Sequence, residues 1–256
     1  MKVVIFCGGM GTRLREETEV RPKPMVDIGG RPILWHIMKL YAQAGWKDFV
    51  LALGYKGDVI RDYFLHYEQH NRDVTVTLGS RDVVVHGELE EAGWQVTLAD
   101  TGLESYTGTR LKRAARYLGD RFLVTYGDGL ADIDLDALLR HHVEQGRLGT
   151  VTAVRPSSRF GELAIEEGMV KVFREKPQID DGWINGGFFV FEKAALAHLG
   201  DGQESLEQGL LVKLAEMGQL SVYQHGGFWQ CMDTYREVVL LNEMWRSGRA
   251  PWARGW

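Results

Sequence analysis

Apolar positions in the first half of the chain fall into short continuous runs, separated by segments with helical spacing. Val3–Cys7 is an apolar run ending in glycines, Asp48–Gly54 is a second, and Arg121–Tyr126 is a third, closed by Gly127-Asp128-Gly129. Unbroken apolar runs of this length predict strands buried on both faces. Between them, Arg31–Gly45 carries Ile33, Leu34, Ile37, Met38 and Tyr41 at helical spacing and stops at a glycine. Asp58–Glu68, Thr109–Leu118 and Asp134–Gln145 read as further helices, the second of them basic and amphipathic. Val74–Leu78, Asp82–His86 and Trp94–Leu98 alternate more and predict shorter strands. The second half is richer in strand, with Thr150–Val154, Leu163–Ile165, Val170–Arg174, Ile184–Phe191 and Leu220–Gln224. Two helix starts there carry capping boxes, Ser205-Leu-Glu-Gln208 and Thr234-Tyr-Arg-Glu237.

Alternating strands and helices with continuous apolar strands argue for an α/β fold with a largely parallel sheet covered on both faces. A chain of 256 residues suits one domain, and no linker, repeat or low-complexity segment divides it. The net charge of −5 offers no basic field, so no nucleic-acid partner is expected. No apolar run approaches the ~18 residues of a membrane helix, so no membrane partner is expected either. No charged-then-apolar leader precedes the first strand, and Cys7 and Cys231 are too few for a disulfide framework. A reducing, cytoplasmic setting is the expectation.

The chemistry starts at the end of the first strand, where "CGGMGTRLREETEVRPKPM" follows the apolar run. Loops at the carboxyl ends of parallel strands are where ligands bind, and glycines there let backbone N–H groups approach an oxyanion. The spacing does not match the Walker A pattern. From Gly9 the dinucleotide fingerprint G-x-G-x-x-G fails at Leu14, which disfavours a dehydrogenase. Arg13 and Lys23 lie in the same loop. Pro22 and Pro24 limit the backbone freedom around Lys23, and a long cation on a stiffened segment suits a phosphate chain. Asp128 ends the third apolar run between two glycines, and Asp233 stands just before the last capping box. Placed so, Asp128 can meet a ligand without crowding, while Asp233 taken alone reads equally well as a carboxylate favoured at a helix N-terminus. His141-His142 does not form an HExxH motif, the eight histidines show no metal-ligand spacing, and no serine-nucleophile elbow is present.

GGMGTRL followed by RPKPM resembles the signature of the sugar-1-phosphate nucleotidyltransferases. The stretches GYKG, TYGDG, EKP, INGGFFVF and FWQCMDT extend the resemblance over nearly the whole chain, in its cytidylyl branch. The resemblance implies a three-layer, Rossmann-like nucleotidyltransferase fold with a mixed, mostly parallel central sheet. A nucleotide-binding part of about residues 1–130 would be followed by a smaller, strand-rich sugar-phosphate and metal part of about 131–256. It implies transfer of a nucleotidyl group from CTP to glucose 1-phosphate, with Mg²⁺ as cofactor and a homo-oligomeric assembly. Gly8, Gly9, Gly11, Thr12, Arg13, Lys23, Ser105, Thr107, Arg110 and Asp128 would contact nucleotide, with Arg13, Lys23 and Asp128 acting in catalysis. Asp128 and Asp233 would hold the metal, and Glu175, Lys176, Asn185 and Gly186 the sugar phosphate. Thr109 stands where the family pattern has glycine, and Cys7 and Cys231 stand where it usually has alanine and proline. Two other readings stay open: the same chemistry with another base or sugar, and a non-catalytic sugar-nucleotide sensor. A sensor has no need of both Asp128 and Asp233.

Overall fold

A computed structural model describes residues 1–156, 162–166, 169–174 and 182–256. The chain opens with β1 (Lys2–Cys7), a short hairpin of β2 (Asp27–Ile28) and β3 (Arg31–Pro32), and β4 (Asp48–Leu53). A second hairpin, β5 (Val74–Thr77) and β6 (Asp82–Val85), precedes β7 (Gln95–Asp100). Then come β8 (Arg121–Tyr126), β9 (Gly129–Ala131) and β10 (Gly149–Val154). A third hairpin, β11 (Glu162–Glu166) and β12 (Met169–Arg174), leads to β13 (Ile184–Glu192), β14 (Leu220–His225) and β15 (Trp229–Cys231).

Seven strands form the central sheet in the order β14-β10-β13-β8-β1-β4-β7. All neighbours pair parallel except those involving β13, which is antiparallel to both β10 and β8. The sheet is therefore mixed and mostly parallel: the alternation of runs and helices predicts its parallel majority, and the resemblance implies the mixture. Its two faces bury separate sets of side chains. Val3, Ile5 and Cys7 join Phe49, Leu51 and Leu53 in one apolar layer, under the helices Ile33–Gln43, Leu135–Gln145 and Tyr235–Arg246. Val4 and Phe6 join Val50, Ala52, Phe122 and Val124 in the other, under the helix Thr107–Ala114 and the turns after Ala195. This is the period of two expressed on a sheet covered on both sides, so the sequence run reads as continuously apolar.

Several boundaries differ from the sequence reading. The predicted helix 58–68 is interrupted at His66, where φ −112° and ψ 26° separate Gly57–Leu65 from Tyr67–Asn71. The basic helix starts earlier, at Thr107, and tightens into a 3₁₀ turn over Ala115–Tyr117. Trp94–Leu98 becomes β7, an edge strand of the main sheet, whereas β5 and β6 pair only with each other and expose Val74, Val76 and Val84. Thr234 forms a complete capping box with Glu237. At Ser205 the hydroxyl accepts from Gln208 N, and the turn that follows is π-helical over Leu206–Leu210.

The tryptophan-rich tail packs on the body of the chain. Trp252 is buried, and its indole Nε1–H donates to His36 Nδ1 at 3.3 Å. His36 Nε2 lies 2.8 Å from the Ile28 carbonyl, so Nε2 carries the proton and Nδ1 is free to accept. Trp35, Trp245 and Trp256 surround the same ring. Burial pushes the His36 pKa down to about 4. A histidine held neutral in the fold leaves stability unaffected above its ordinary value and costs stability below it, because the unfolded chain then binds a proton that the folded chain does not. Unfolding free energy is expected to fall by up to about 3 kcal/mol from this group between pH 6.5 and 4. Urea midpoints across that range check it: His36→Gln is expected to flatten the slope, and equal slopes in both proteins would contradict the assignment.

Candidate functional site

The strand order fixes where a ligand can sit. From β1 the chain winds outward through β4 to β7, then returns to β8 on the other side of β1. The crevice at the carboxyl ends of β1 and β8 is a topological switch point, the position where open α/β sheets bind ligands. β1 runs into Gly8-Gly9-Met10-Gly11, and β8 runs into Gly127-Asp128-Gly129. A cleft of about 630 Å³ opens there, with the glycine loop, the segment Ser105–Thr107, the end of β8 and the start of β13 among its walls.

Backbone shape explains the glycines at two positions. Gly11 has φ +62°, and a side chain there would meet Thr18 at 2.7 Å. A Cβ on Gly127 would lie 2.7 Å from the Phe6 carbonyl and 2.9 Å from Pro24 Cγ. Pro24 thus packs directly on Gly127. The preceding residue, Lys23, begins a 3₁₀ turn behind Pro22, whose φ is −68°. The proline clamp sets the root of Lys23 against the loop that carries Asp128.

Asp233 reaches the same place through a short pairing. β15 runs antiparallel to β9, with Cys231 opposite Gly129, and Met232 N donates to the Asp128 carbonyl at 2.8 Å. The capping box then fixes the next turn: Glu237 Oε2 accepts from Thr234 N at 2.5 Å and from Asp233 N at 3.2 Å. The helix N-terminus that follows favours a carboxylate at this point.

The three side chains converge. Lys23 Nζ donates to Asp128 Oδ2 at 2.6 Å and to Asp233 Oδ1 at 2.6 Å, and Arg13 Nη1 donates to Asp233 Oδ2 at 2.5 Å. Burial works against the charge on Lys23, but the attraction of Asp128 and the hydrogen bonds to both acids outweigh it and raise the ammonium above its ordinary range. Arg13 by contrast is 74 % exposed and lines the cleft. Cys231 brings its sulfur within 4.8 Å of ligating oxygens of both acids, and burial raises its thiol. The two carboxylate oxygens already meet at one cationic nitrogen, and oxygen donors of this hardness suit a divalent ion such as magnesium. A second group of ligating atoms, on Asp62, His66 and His70, also lies within 4.8 Å. It corrects the expectation that no histidines share metal-ligand spacing, but none of the three lines the cleft.

The nucleotide-side residues divide by what they touch. Gly8, Gly9, Gly11, Thr12, Ser105 and Thr107 line the cleft. Arg110 also reaches it, yet its guanidinium is buried and turned inward. Nη1 donates to the Leu53 carbonyl at 2.9 Å, Thr101 Oγ1 at 2.9 Å and the Gly102 carbonyl at 2.7 Å. Nη2 donates to the carbonyls of Gly8 at 2.9 Å and Leu103 at 3.1 Å. Arg110 therefore ties together the loops after β1, β4 and β7. Thr109, where a glycine is expected, lies within an ordinary helix, and its hydroxyl donates to the Gly202 carbonyl at 3.0 Å.

On the other wall, Asn185 Oδ1 accepts from Gly187 N at 2.9 Å, and Trp229 Nε1 donates to the Gly186 carbonyl at 2.8 Å. Glu175 and Lys176 lie outside the described residues. The sequence reading missed Glu207, whose carboxylate accepts from Thr107 Oγ1 at 2.8 Å and from the Tyr126 hydroxyl. Its one signal is the Ser205 capping box, which fixes where the helix starts and so aims its first turn at the cleft.

Comparison with known proteins finds relatives over nearly the whole chain. A family model described as nucleotidyl transferase matches residues 2–232. The chain is 50 % identical to glucose-1-phosphate cytidylyltransferase of Salmonella typhi over 98 % of both chains. It is 45 % identical to the probable glucose-1-phosphate cytidylyltransferase of Bacillus subtilis, over 98 % of this chain and 99 % of that one. Among solved structures, HddC from Yersinia pseudotuberculosis superposes with a TM-score of 0.69 at 23 % identity, over 95 % of this chain and 99 % of that one, a likeness of fold.

Arg110→Met is expected to lower the unfolding free energy by roughly 2–4 kcal/mol, because it leaves several buried carbonyls unpaired at once. Denaturant unfolding measures it, and a loss below about 0.5 kcal/mol would show that these bonds do not hold the loops together.

Proposed function

The chain belongs to the nucleotidyl transferase family, and we propose that it transfers a cytidylyl group from CTP to α-D-glucose 1-phosphate, giving CDP-glucose and pyrophosphate. The observation that carries the reading is the meeting of Lys23 with Asp128 and Asp233 at the mouth of a glycine-loop cleft, in a chain half identical to enzymes of that name. A pure sensor has no use for two converging acids.

In the reaction, a phosphate oxygen of glucose 1-phosphate forms a bond to the α-phosphorus of CTP. The bond from that phosphorus to the oxygen bridging the α- and β-phosphates breaks, and pyrophosphate leaves with the electron pair. The attacking oxygen is already anionic at neutral pH, so no general base is needed. The obstacle is repulsion between two anions.

The chain's own residues answer that obstacle in order along the cleft. Backbone N–H groups of Gly8, Gly9 and Gly11 receive the nucleotide, with Thr12, Ser105 and Thr107 on the wall beside it. Arg110 holds the Gly8 carbonyl and acts by keeping the loop in shape. Arg13, exposed above the opening, folds onto the phosphate chain, and Lys23 supplies a charge from below. Asp128 and Asp233 would hold a divalent ion such as magnesium, which when bound would supply charge neutralisation at the α-phosphate. Asn185 and Gly186 face the hexose, and the resemblance assigns Glu175 and Lys176 to the sugar phosphate as well. Catalysis on this account is alignment plus charge stabilisation, with no covalent intermediate.

The test is pyrophosphate release across a panel of nucleoside triphosphates and sugar 1-phosphates. CTP with glucose 1-phosphate is expected to give the highest turnover. A different preferred base or sugar would redirect the assignment, and release with no pair would favour the sensor reading. Asp128→Ala and Lys23→Ala are each expected to lower turnover at least ~10²-fold. Near-normal rates in both would remove the mechanism.

A further inference from the structure

Lys23 occupies the point at which the two acids converge. One nitrogen lies 2.6 Å from an oxygen of Asp128 and 2.6 Å from an oxygen of Asp233, and Arg13 occupies the other oxygen of Asp233. Two carboxylates pointed at one place repel unless a cation lies between them. A dication on the same two oxygens meets the ammonium head-on, and two cations within hydrogen-bond reach of one acid pair repel in turn. Ion and ammonium therefore compete for one position.

The lysine has somewhere else to go. Pro22 and Pro24 hold its backbone, and Lys23 Cβ lies 3.2 Å from where a Cβ on Gly11 would stand. The root of the side chain thus sits beside the glycine loop. Rotation about its flexible stem carries the nitrogen from the acids towards that loop with no change in backbone. A triphosphate bound on the loop offers a fresh set of anionic oxygens to replace the two carboxylates.

We propose that Lys23 is a resident stand-in for the divalent ion: in the nucleotide-free protein its ammonium bridges Asp128 and Asp233, and the ion enters as the ammonium moves across to the incoming triphosphate. This inference rests on the function proposed above. It makes ion and nucleotide binding cooperative, since each removes the obstacle to the other.

The experiment follows Mn²⁺, a paramagnetic substitute for magnesium, by the loss of its free-ion resonance as full-length protein is added. Without nucleotide, Lys23→Met is expected to bind Mn²⁺ roughly ten- to a hundredfold more tightly than the wild type. With the Mn²⁺ chelated by the free analogue subtracted, a non-hydrolysable CTP analogue is expected to tighten Mn²⁺ binding by the wild type by a larger factor than by the variant. Equal or weaker Mn²⁺ binding by the variant would overturn the proposal. Should Lys23→Met fail to fold, acylation of Lys23 in the wild type, read by peptide mass, takes its place. Saturating Mn²⁺ alone is expected to expose the amine and speed acylation, and an unchanged rate would overturn the proposal. Formation of CDP-glucose together with equal Mn²⁺ affinities removes this inference alone. Absence of both Mn²⁺ binding and CDP-glucose formation removes the proposed function with it.

Discussion

One positive charge between two carboxylates is the interaction on which the site depends. Asp128 and Asp233 approach a common point from different ends of the fold, and without a cation there they repel. The rest of the local structure serves to keep that point fixed. Gly127 is small enough for Pro24 to pack against it, so the proline clamp places Lys23. The β9–β15 pairing places Asp233, and Glu237 locks the turn that follows. Each of these contacts is backbone or capping geometry, which resists displacement better than a flexible surface ion pair does.

A second constraint lies at the other side of the cleft. Arg110 fastens the loops that leave β1, β4 and β7 through their carbonyls, and the side chain is buried while doing so. Loops at a sheet edge would otherwise carry unsatisfied acceptors. The two basic groups divide by direction: Arg110 turns inward to the loop carbonyls, while the exposed Arg13 and the largely buried Lys23 turn to the acids.

Much of the fold was legible in the residues. Val3–Cys7 and Arg121–Tyr126 read as doubly buried strands because both neighbours in the sheet and both covering layers are apolar. Asp128 was legible for the same reason, since a glycine-flanked acid that follows such a strand lies at the sheet's carboxyl end, where ligands bind. Its partnership with Asp233 was not legible from spacing. The two acids lie 105 and 210 positions beyond Lys23, and they are joined by strands of three residues, too short to show a period. That pairing came from family resemblance. The direction of Arg110 was hidden too: it reads as a nucleotide contact, and only the carbonyls of Leu53, Gly102 and Gly8 placed around it show the guanidinium turned inward. Glu207 was hidden behind a capping box that announces a helix start but not what the helix points at.

Diffraction from crystals grown with a non-hydrolysable CTP analogue and Mn²⁺, read at the manganese absorption edge, tests the central claim most directly. The account predicts one anomalous peak within about 2.2 Å of oxygens from both Asp128 and Asp233, with Lys23 Nζ moved onto the phosphates. A peak that touches only one of these acids, or neither, with Lys23 still lying between them, would contradict it.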